Sequence, residues 1–103
     1  MGHLDQIRDD LVARITAIDG RVRYARPDEI APDVDAIRAI AHRNGLNPAV
    51  TVAHFLDSAL SRGERGALVH DWLVMLAEAV RSERQDLVAC EAYAAACSVR
   101  LAG

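Results

Sequence analysis

Apolar residues recur along this chain at steps of three and four, the spacing that places side chains on one face of an α-helix. The first such series is Leu4, Ile7, Leu11, Ile15 and Ile18. Charged residues occupy many of the positions between them. The series predicts a first helix over residues 4–18. The Asp19-Gly20 pair that follows is a typical helix end.

The same periodicity predicts four further helices, over residues 32–43, 47–62, 67–81 and 85–101. Pro32 suits the first turn of the second helix, and Asn44-Gly45 suits its end. Asn47 is expected to cap the third helix, with Pro48 at its first position. The wide apolar sector of the fourth helix predicts that it is the most buried. Ser82 to Gln85 fits a capping box, which favours a break before the fifth helix; the alternative is one continuous helix through this point.

The segment between the first two helices is less regular. Arginines alternate there with other residue types, and two prolines, Pro27 and Pro32, preclude one continuous helix. We expect a connection that contains a short extended piece. Because no other segment has the alternation of a strand, the sequence predicts an all-α protein. It is expected to be a single domain, residues 1–103, of about five helices in a bundle-like array.

Composition indicates the type of core, the surface charge and the location of the protein. The chain has 103 residues, of which 51% are hydrophobic and 4% aromatic, so the core is expected to be aliphatic. The net charge of −3 argues against a generally basic surface for nucleic acid. The charged N-terminal region lacks an apolar signal stretch, and no apolar run reaches the roughly 18 residues of a membrane span. We therefore expect a cytoplasmic protein, without a membrane association, whose thiols stay reduced.

The only two cysteines lie on one stripe of the fifth helix, made of Leu87, Cys90, Ala94, Cys97 and Leu101. Cys90 and Cys97 are separated by about 10.5 Å along a helix axis. A disulfide requires Cα atoms within about 7 Å, so the two cannot pair inside one helix. We interpret both as small apolar residues that face a neighbouring helix.

Alanine dominates the rest of this last helix, from Ala89 to Ala96. A thin helix with few large side chains buries little surface alone, so other protein is expected to cover it. The cover is either another helix of the same chain or a partner, with a homodimer favoured. The main hypothesis is a small non-catalytic interaction module that self-associates.

Three arginines, Arg21, Arg23 and Arg26, lie close together in the sequence with Tyr24. Guanidinium groups bind phosphate and carboxylate oxygens in a bidentate way, so these four residues are a candidate anion site. The alternative is that the arginines pair with the nearby acids Asp28, Glu29 and Asp33.

No metal-binding or nucleotide-binding motif occurs, such as H-E-x-x-H, C-x-x-C or a glycine-rich phosphate loop. His54 and Asp57 are three residues apart, but they share their helix face with serine and threonine, as a hydrated surface does. We predict no catalytic residue, no metal ligand and no cofactor.

The stretch from Ile40 to Leu56 resembles the helix-turn-helix of DNA-binding proteins. The resemblance lies in Ala41 in the first helix, Gly45 at the turn and Leu46 after it. Asn44 stands where those proteins usually carry an apolar residue. Over residues 37–62 the resemblance implies DNA binding by the second helix, with contacts from Thr51, His54 and Arg62.

Overall fold

Five α-helices joined by short connections make up residues 2–102, the part of the chain that this computed structural model describes. They are α1 (His3–Asp19), α2 (Pro27–Arg43), α3 (Asn47–Ser61), α4 (Ala67–Arg81) and α5 (Leu87–Ala102). No strand occurs in this described range, and the predicted all-α class is confirmed. The Cα radius of gyration is 12.7 Å, close to the roughly 13 Å of a folded domain of 100 residues.

Helix α3 lies at the centre of the fold. It packs against α2, α4 and α5, whereas α1 packs against α4 and, more lightly, against α2. Seven residues of α3 are buried and six of α4, so the prediction that α4 is the most buried helix is wrong. A helix with neighbours on three sides buries more of its circumference than one with an open flank, and this explains the difference.

The core is aliphatic, as the composition predicted, with one large aromatic residue in it. Trp72 is almost fully buried. Its indole Nε1 donates a hydrogen bond to Oε1 of Glu64 at 3.2 Å. The only polar atom of this side chain therefore has a partner, which removes the cost of burying it.

Helix α2 begins at Pro27, five residues before the predicted start. Pro27 occupies the first helical position, where its missing N–H costs nothing. Glu29 accepts a hydrogen bond from the backbone N–H of Arg26 at 3.0 Å and so closes this end. Pro32 lies inside the helix and removes one backbone hydrogen bond. Burial of Ile30, worth about 1.5–3 kcal/mol, offsets that loss.

Residues 20–25 form a series of turns, and the predicted extended piece is absent from this segment. The backbone N–H groups of Tyr24 and Ala25 both donate to the carbonyl of Arg21, at 3.0 and 2.8 Å. Val22, in the same segment, is buried. The turns keep the connection short and bring its arginines to the surface.

The predicted caps of α3 and α5 do not form. Asn47 is the first residue of α3, and its side-chain amide donates instead to the carbonyl of Gln85, at 3.3 Å. The break between α4 and α5 is confirmed, but Asp86 caps α5 in place of Ser82. Oδ1 of Asp86 accepts a hydrogen bond from the N–H of Ala89 at 2.8 Å, and this bond lowers the pKa of the carboxyl group.

Within residues 2–102, none of the five helices has the length and apolar content that a bilayer crossing requires.

Replacing Leu56 tests the central place of α3. Leu56 is fully buried, so Leu56→Ala should lower the free energy of unfolding by about 2–5 kcal/mol. Leu68, which is 57% exposed on α4, is the matched control, and Leu68→Ala should change it by no more than about 0.5 kcal/mol. Urea denaturation followed by circular dichroism measures both. Equal losses would contradict the core as described.

Candidate functional site

Helix α5 contacts the rest of the chain along one side only. Cys97 is fully buried and Ala89 nearly so, while Tyr93 and Leu101 pack on the core from its edge. The sulfur of Cys97 lies 3.5 Å from the sulfur of Met75 on α4. Burial raises the pKa of the Cys97 thiol, which keeps it neutral. Cys97 therefore acts as a small apolar residue, and Cys90, on the same continuous helix, lies too far along the axis to pair with it.

The stripe of α5 that was predicted to face a neighbouring helix only partly coincides with the side of α5 that packs on the core. Cys90, Ala94 and Leu101 are half-buried, but Leu87 is 72% exposed and lies outside the contact within the chain. At 3.6 residues per turn, Leu87 lies about 80° around the helix from Cys97. Tyr93, about 40° from Cys97 on the other side, packs on the core in its place.

The opposite side of α5 is apolar and uncovered within the described chain. Five residues spaced by four, three, four and three positions form this side, which we call the outer stripe: Val88, Ala92, Ala95, Val99 and Ala102. All five are exposed, Val88 at 63% and Val99 at 74%. Leu87 extends the apolar surface at one edge.

One charged side chain, Glu91, lies at the edge of the outer stripe, about 20° around the helix from Ala102. The nearest cation along the helix, Arg100, is directed toward α4. Its guanidinium lies 3.8 Å from the carboxylate of Asp71 and 5.7 Å from the centre of the Trp72 ring. The outer stripe is thus a continuous apolar surface in a chain of which 26% is charged.

The arginines predicted to form an anion site do not converge. Arg21 forms an ion pair with Asp33, and Arg26 lies 3.2 Å from Asp28 and 3.4 Å from Glu29. These two therefore follow the alternative prediction of ion pairs with nearby acids. Arg21, Arg23 and Arg26 border three different cavities, and Tyr24 is 84% exposed.

Arg23 borders instead a cavity of about 370 Å³ between the end of α1 and the start of α4. There Nδ1 of His70 lies 2.7 Å from Oδ1 of Asp19. This hydrogen bond, together with the charge of Asp19, raises the pKa of His70. Nothing in the sequence predicts this pair, because 51 positions separate the two residues and no local pattern joins them.

The segment that resembles a helix-turn-helix has a three-residue turn between α2 and α3. Gly45 adopts a positive φ of 70° there, and Ala41 and Leu46 are fully buried on either side of it. These features match those on which the resemblance rests.

The predicted DNA-contacting residues of that segment differ in their surroundings. His54 is exposed. The hydroxyl of Thr51 donates to the carbonyl of Asn47 at 3.2 Å, and Arg62 donates to the carbonyl of Leu101 at 2.9 Å. Arg62 is thereby directed toward α5.

Two carboxylates meet where α2 packs on α3. Burial, together with the hydrogen bond and the charge of Asp35, raises the pKa of Asp57 to about 7. Arg38 approaches both acids, at 3.7 Å from Asp35 and 3.9 Å from Asp57, and limits the rise. Burial and the neighbouring Asp35 therefore favour the neutral form of the Asp57 carboxyl, whereas Arg38 favours its charged form.

In the part of the chain that the structure describes, no three histidine, cysteine or acidic side chains are grouped as metal ligands. Comparison with protein-family models, with curated proteins and with solved structures gives no match.

Asp57 gives a prediction about pH. Its pKa in the folded protein lies above the value of 3.8 for a free carboxyl, so the folded state holds more protons than the unfolded state between about pH 4 and pH 7. Its contribution to stability therefore falls as the pH rises through that window. Asp57→Asn removes this loss, and the variant should gain stability relative to the wild type between pH 4.5 and pH 8.

Urea unfolding at the two pH values measures the difference. Asp10→Asn is the control, because Asp10 forms an exposed surface pair with Arg14. Its free energy of unfolding should differ from that of the wild type by the same small amount at both pH values. An Asp57→Asn difference that does not change with pH would contradict the raised pKa.

Proposed function

We propose that this protein is a small non-catalytic interaction module that associates with a second copy of itself through the outer stripe of α5. The observation that carries the proposal is the exposure of this apolar side, which has one acid, Glu91, at its edge. Val88 and Val99 leave most of their side chains in water, and full burial of such a side chain stabilises by about 1.5–3 kcal/mol. The free energy gained by covering both favours association.

The spacing of the outer stripe supports a second copy as the partner. Val88 and Val99 lie at equal distances from the point midway between positions 93 and 94, and so do Ala92 and Ala95. An antiparallel pair with a two-fold axis at that point sets each valine against the other valine of the second copy. The alanines meet alanines in the same way. A two-fold interface requires this kind of self-complementary surface.

Side-chain size and helix polarity favour the same arrangement. Alanine at the centre of the outer stripe allows the two helix axes to approach closely, while the valines fill the space at either end. Antiparallel helices also place the positive end of one macrodipole beside the negative end of the other. The single acid at the edge, Glu91, lies on opposite sides of the axis in the two copies.

The size of the contact sets the expected strength. Sixteen residues give a helix of about 24 Å. Contact between two such helices, with Leu87 at the edge, lies at the lower end of the range of specific interfaces, below about 1,200 Å². We therefore expect a weak dimer that forms at micromolar or higher concentration. A cytoplasmic location is part of the proposal, because Cys90 would remain a thiol there.

Ala95→Glu tests the interface. Ala95 lies near the centre of the outer stripe, so the substitution places two carboxylates in the contact without touching the core. Sedimentation equilibrium from about 5 to 500 µM should show a concentration-dependent dimer for the wild type. It should show a monomer, with unchanged helicity, for the variant.

Ala39→Glu is the matched control. Ala39 is also an exposed helical alanine, on α2, and its substitution should leave the dimer intact. A wild type that stays monomeric over the whole range would refute the proposal, and so would equal weakening by the two substitutions.

A second candidate function is DNA binding by α3, favoured by the turn at Gly45 with Ala41 and Leu46 buried around it. It predicts binding to mixed-sequence duplex DNA that weakens steeply with salt, as phosphate contacts do. His54→Ala, at an exposed position of α3, should weaken it further. Fluorescence anisotropy measures both effects, and absence of binding at low salt would eliminate this candidate.

A further inference from the structure

Two cationic side chains from different elements border the cavity between α1 and α4. Arg23 comes from the turns after α1, and His70 comes from the first turn of α4. The cavity has a volume of about 370 Å³, within the roughly 300–1,000 Å³ of small-molecule sites. Arg26 and Arg65 border another cavity, but Arg26 is paired there with Asp28 and Glu29.

The charge of Arg23 is not neutralised by a neighbour. Arg21 and Arg26 on either side of it form ion pairs, but within residues 2–102 no carboxylate forms one with Arg23. A guanidinium group at the border of a cavity, with its donors unused by acids, is suited to bind an oxyanion in a bidentate way.

His70 is held in a defined orientation. A carboxylate only accepts hydrogen bonds, so Nδ1 of His70 must carry a proton toward Asp19, at 2.7 Å. The ring is then fixed, and Nε2 is left for a second partner. The pKa of His70 is raised, chiefly by Asp19 and also by the charge of Asp71, which increases the fraction of His70 in which Nε2 also donates.

We propose that this cavity binds the phosphate group of a small soluble molecule, with the guanidinium of Arg23 and Nε2 of His70 donating to its oxygens. Asp19 also lines the cavity and offsets positive charge there, so the preference for a phosphate group rests on two separate donors that match its several acceptor oxygens. Gly66 and Ala67 form another wall, where α4 begins and its first N–H groups have no acceptor within the helix. The site is separate from the outer stripe and does not depend on self-association.

The test is a ¹H–¹⁵N NMR titration of the full chain with sulfate, with inorganic phosphate and with glycerol 3-phosphate. We expect saturable shifts at Gly66, Ala67 and the side chain of Arg23. Arg23→Gln and His70→Gln should each weaken binding at least tenfold. Arg65→Gln, which changes an exposed arginine at another cavity, is the matched control and should bind as the wild type does.

Sulfate separates the titration of His70 from that of the ligand, because sulfate keeps two negative charges from pH 5.5 to 8.5. The charged groups around His70 are Asp19 from α1, Arg23 from the turns and Asp71 from α4. Protonated His70 is the stronger donor, so sulfate affinity should fall as the pH rises through the pKa of this group. The His70→Gln variant should lose that pH dependence.

Three results would overturn the proposal. The first is the absence of saturable shifts at Gly66 and Ala67. The second is equal weakening by Arg65→Gln, which would mean a general response to ionic strength. The third is sedimentation with vesicles that contain phosphatidic acid when neither free phosphate nor glycerol 3-phosphate binds, which would assign the cavity to a lipid headgroup.

Discussion

The contact of Cys97 with the core sets the orientation of α5, and that orientation decides which surface the protein offers to others. Cys97 lies against Met75, and Tyr93 and Leu101 continue the contact on either side of it. These are small or partly buried residues, so α5 lies close to α3 along a narrow seam. A helix held along one narrow seam must leave its opposite side bare. In α5 that side is apolar.

This arrangement differs from that of the other helices, whose outward sides carry charge. The surface ion pairs of α1 and α2, such as Arg14 with Asp10 and Arg38 with Asp35, lie where a solvated side is expected. Exposed pairs of this kind contribute little to stability, but they keep a surface in water. The outer stripe has no counterpart to them, and this absence distinguishes a contact surface from an ordinary helix exterior.

The positive charge of the chain is also distributed unevenly. Most arginines are paired with a nearby acid, whereas within residues 2–102 Arg23 forms no ion pair and borders one cavity together with His70. Asp19 has two effects there: it orients His70 through a hydrogen bond, and it favours the charged form of His70. The apolar stripe and the cationic cavity are built on different elements, so either can be altered without the other.

Local patterns predicted the positions of the helices well, but they did not predict which side of each helix packs on which other helix. The fourth helix was predicted with its observed bounds, because its apolar periodicity is strong and both ends carry clear signals. The start of α2 was predicted at Pro32 and lies at Pro27. The sequence does not distinguish a proline at the first position of a helix from one at its sixth position. In α5 both sides are apolar and both repeat at three and four, so periodicity could not choose between them.

Contacts between segments that are distant in the chain could not be predicted from the sequence. Asp19 and His70 meet only because α1 and α4 pack together, and Asn47 lost its predicted capping role because Gln85 offers it a carbonyl. The three arginines of the predicted anion site are the opposite case, since they are neighbours in the sequence. Arg21, Arg23 and Arg26 do not meet at one site, because successive turns direct the three side chains to different cavities.

The most direct measurement of the central claim is amide hydrogen exchange, read by mass spectrometry at a low and a high protein concentration. If a second copy covers the outer stripe, peptides from residues 87–102 should exchange more slowly at 500 µM than at 5 µM, while those from α1 to α4 should not change. Exchange in α5 that is the same at both concentrations would contradict the account.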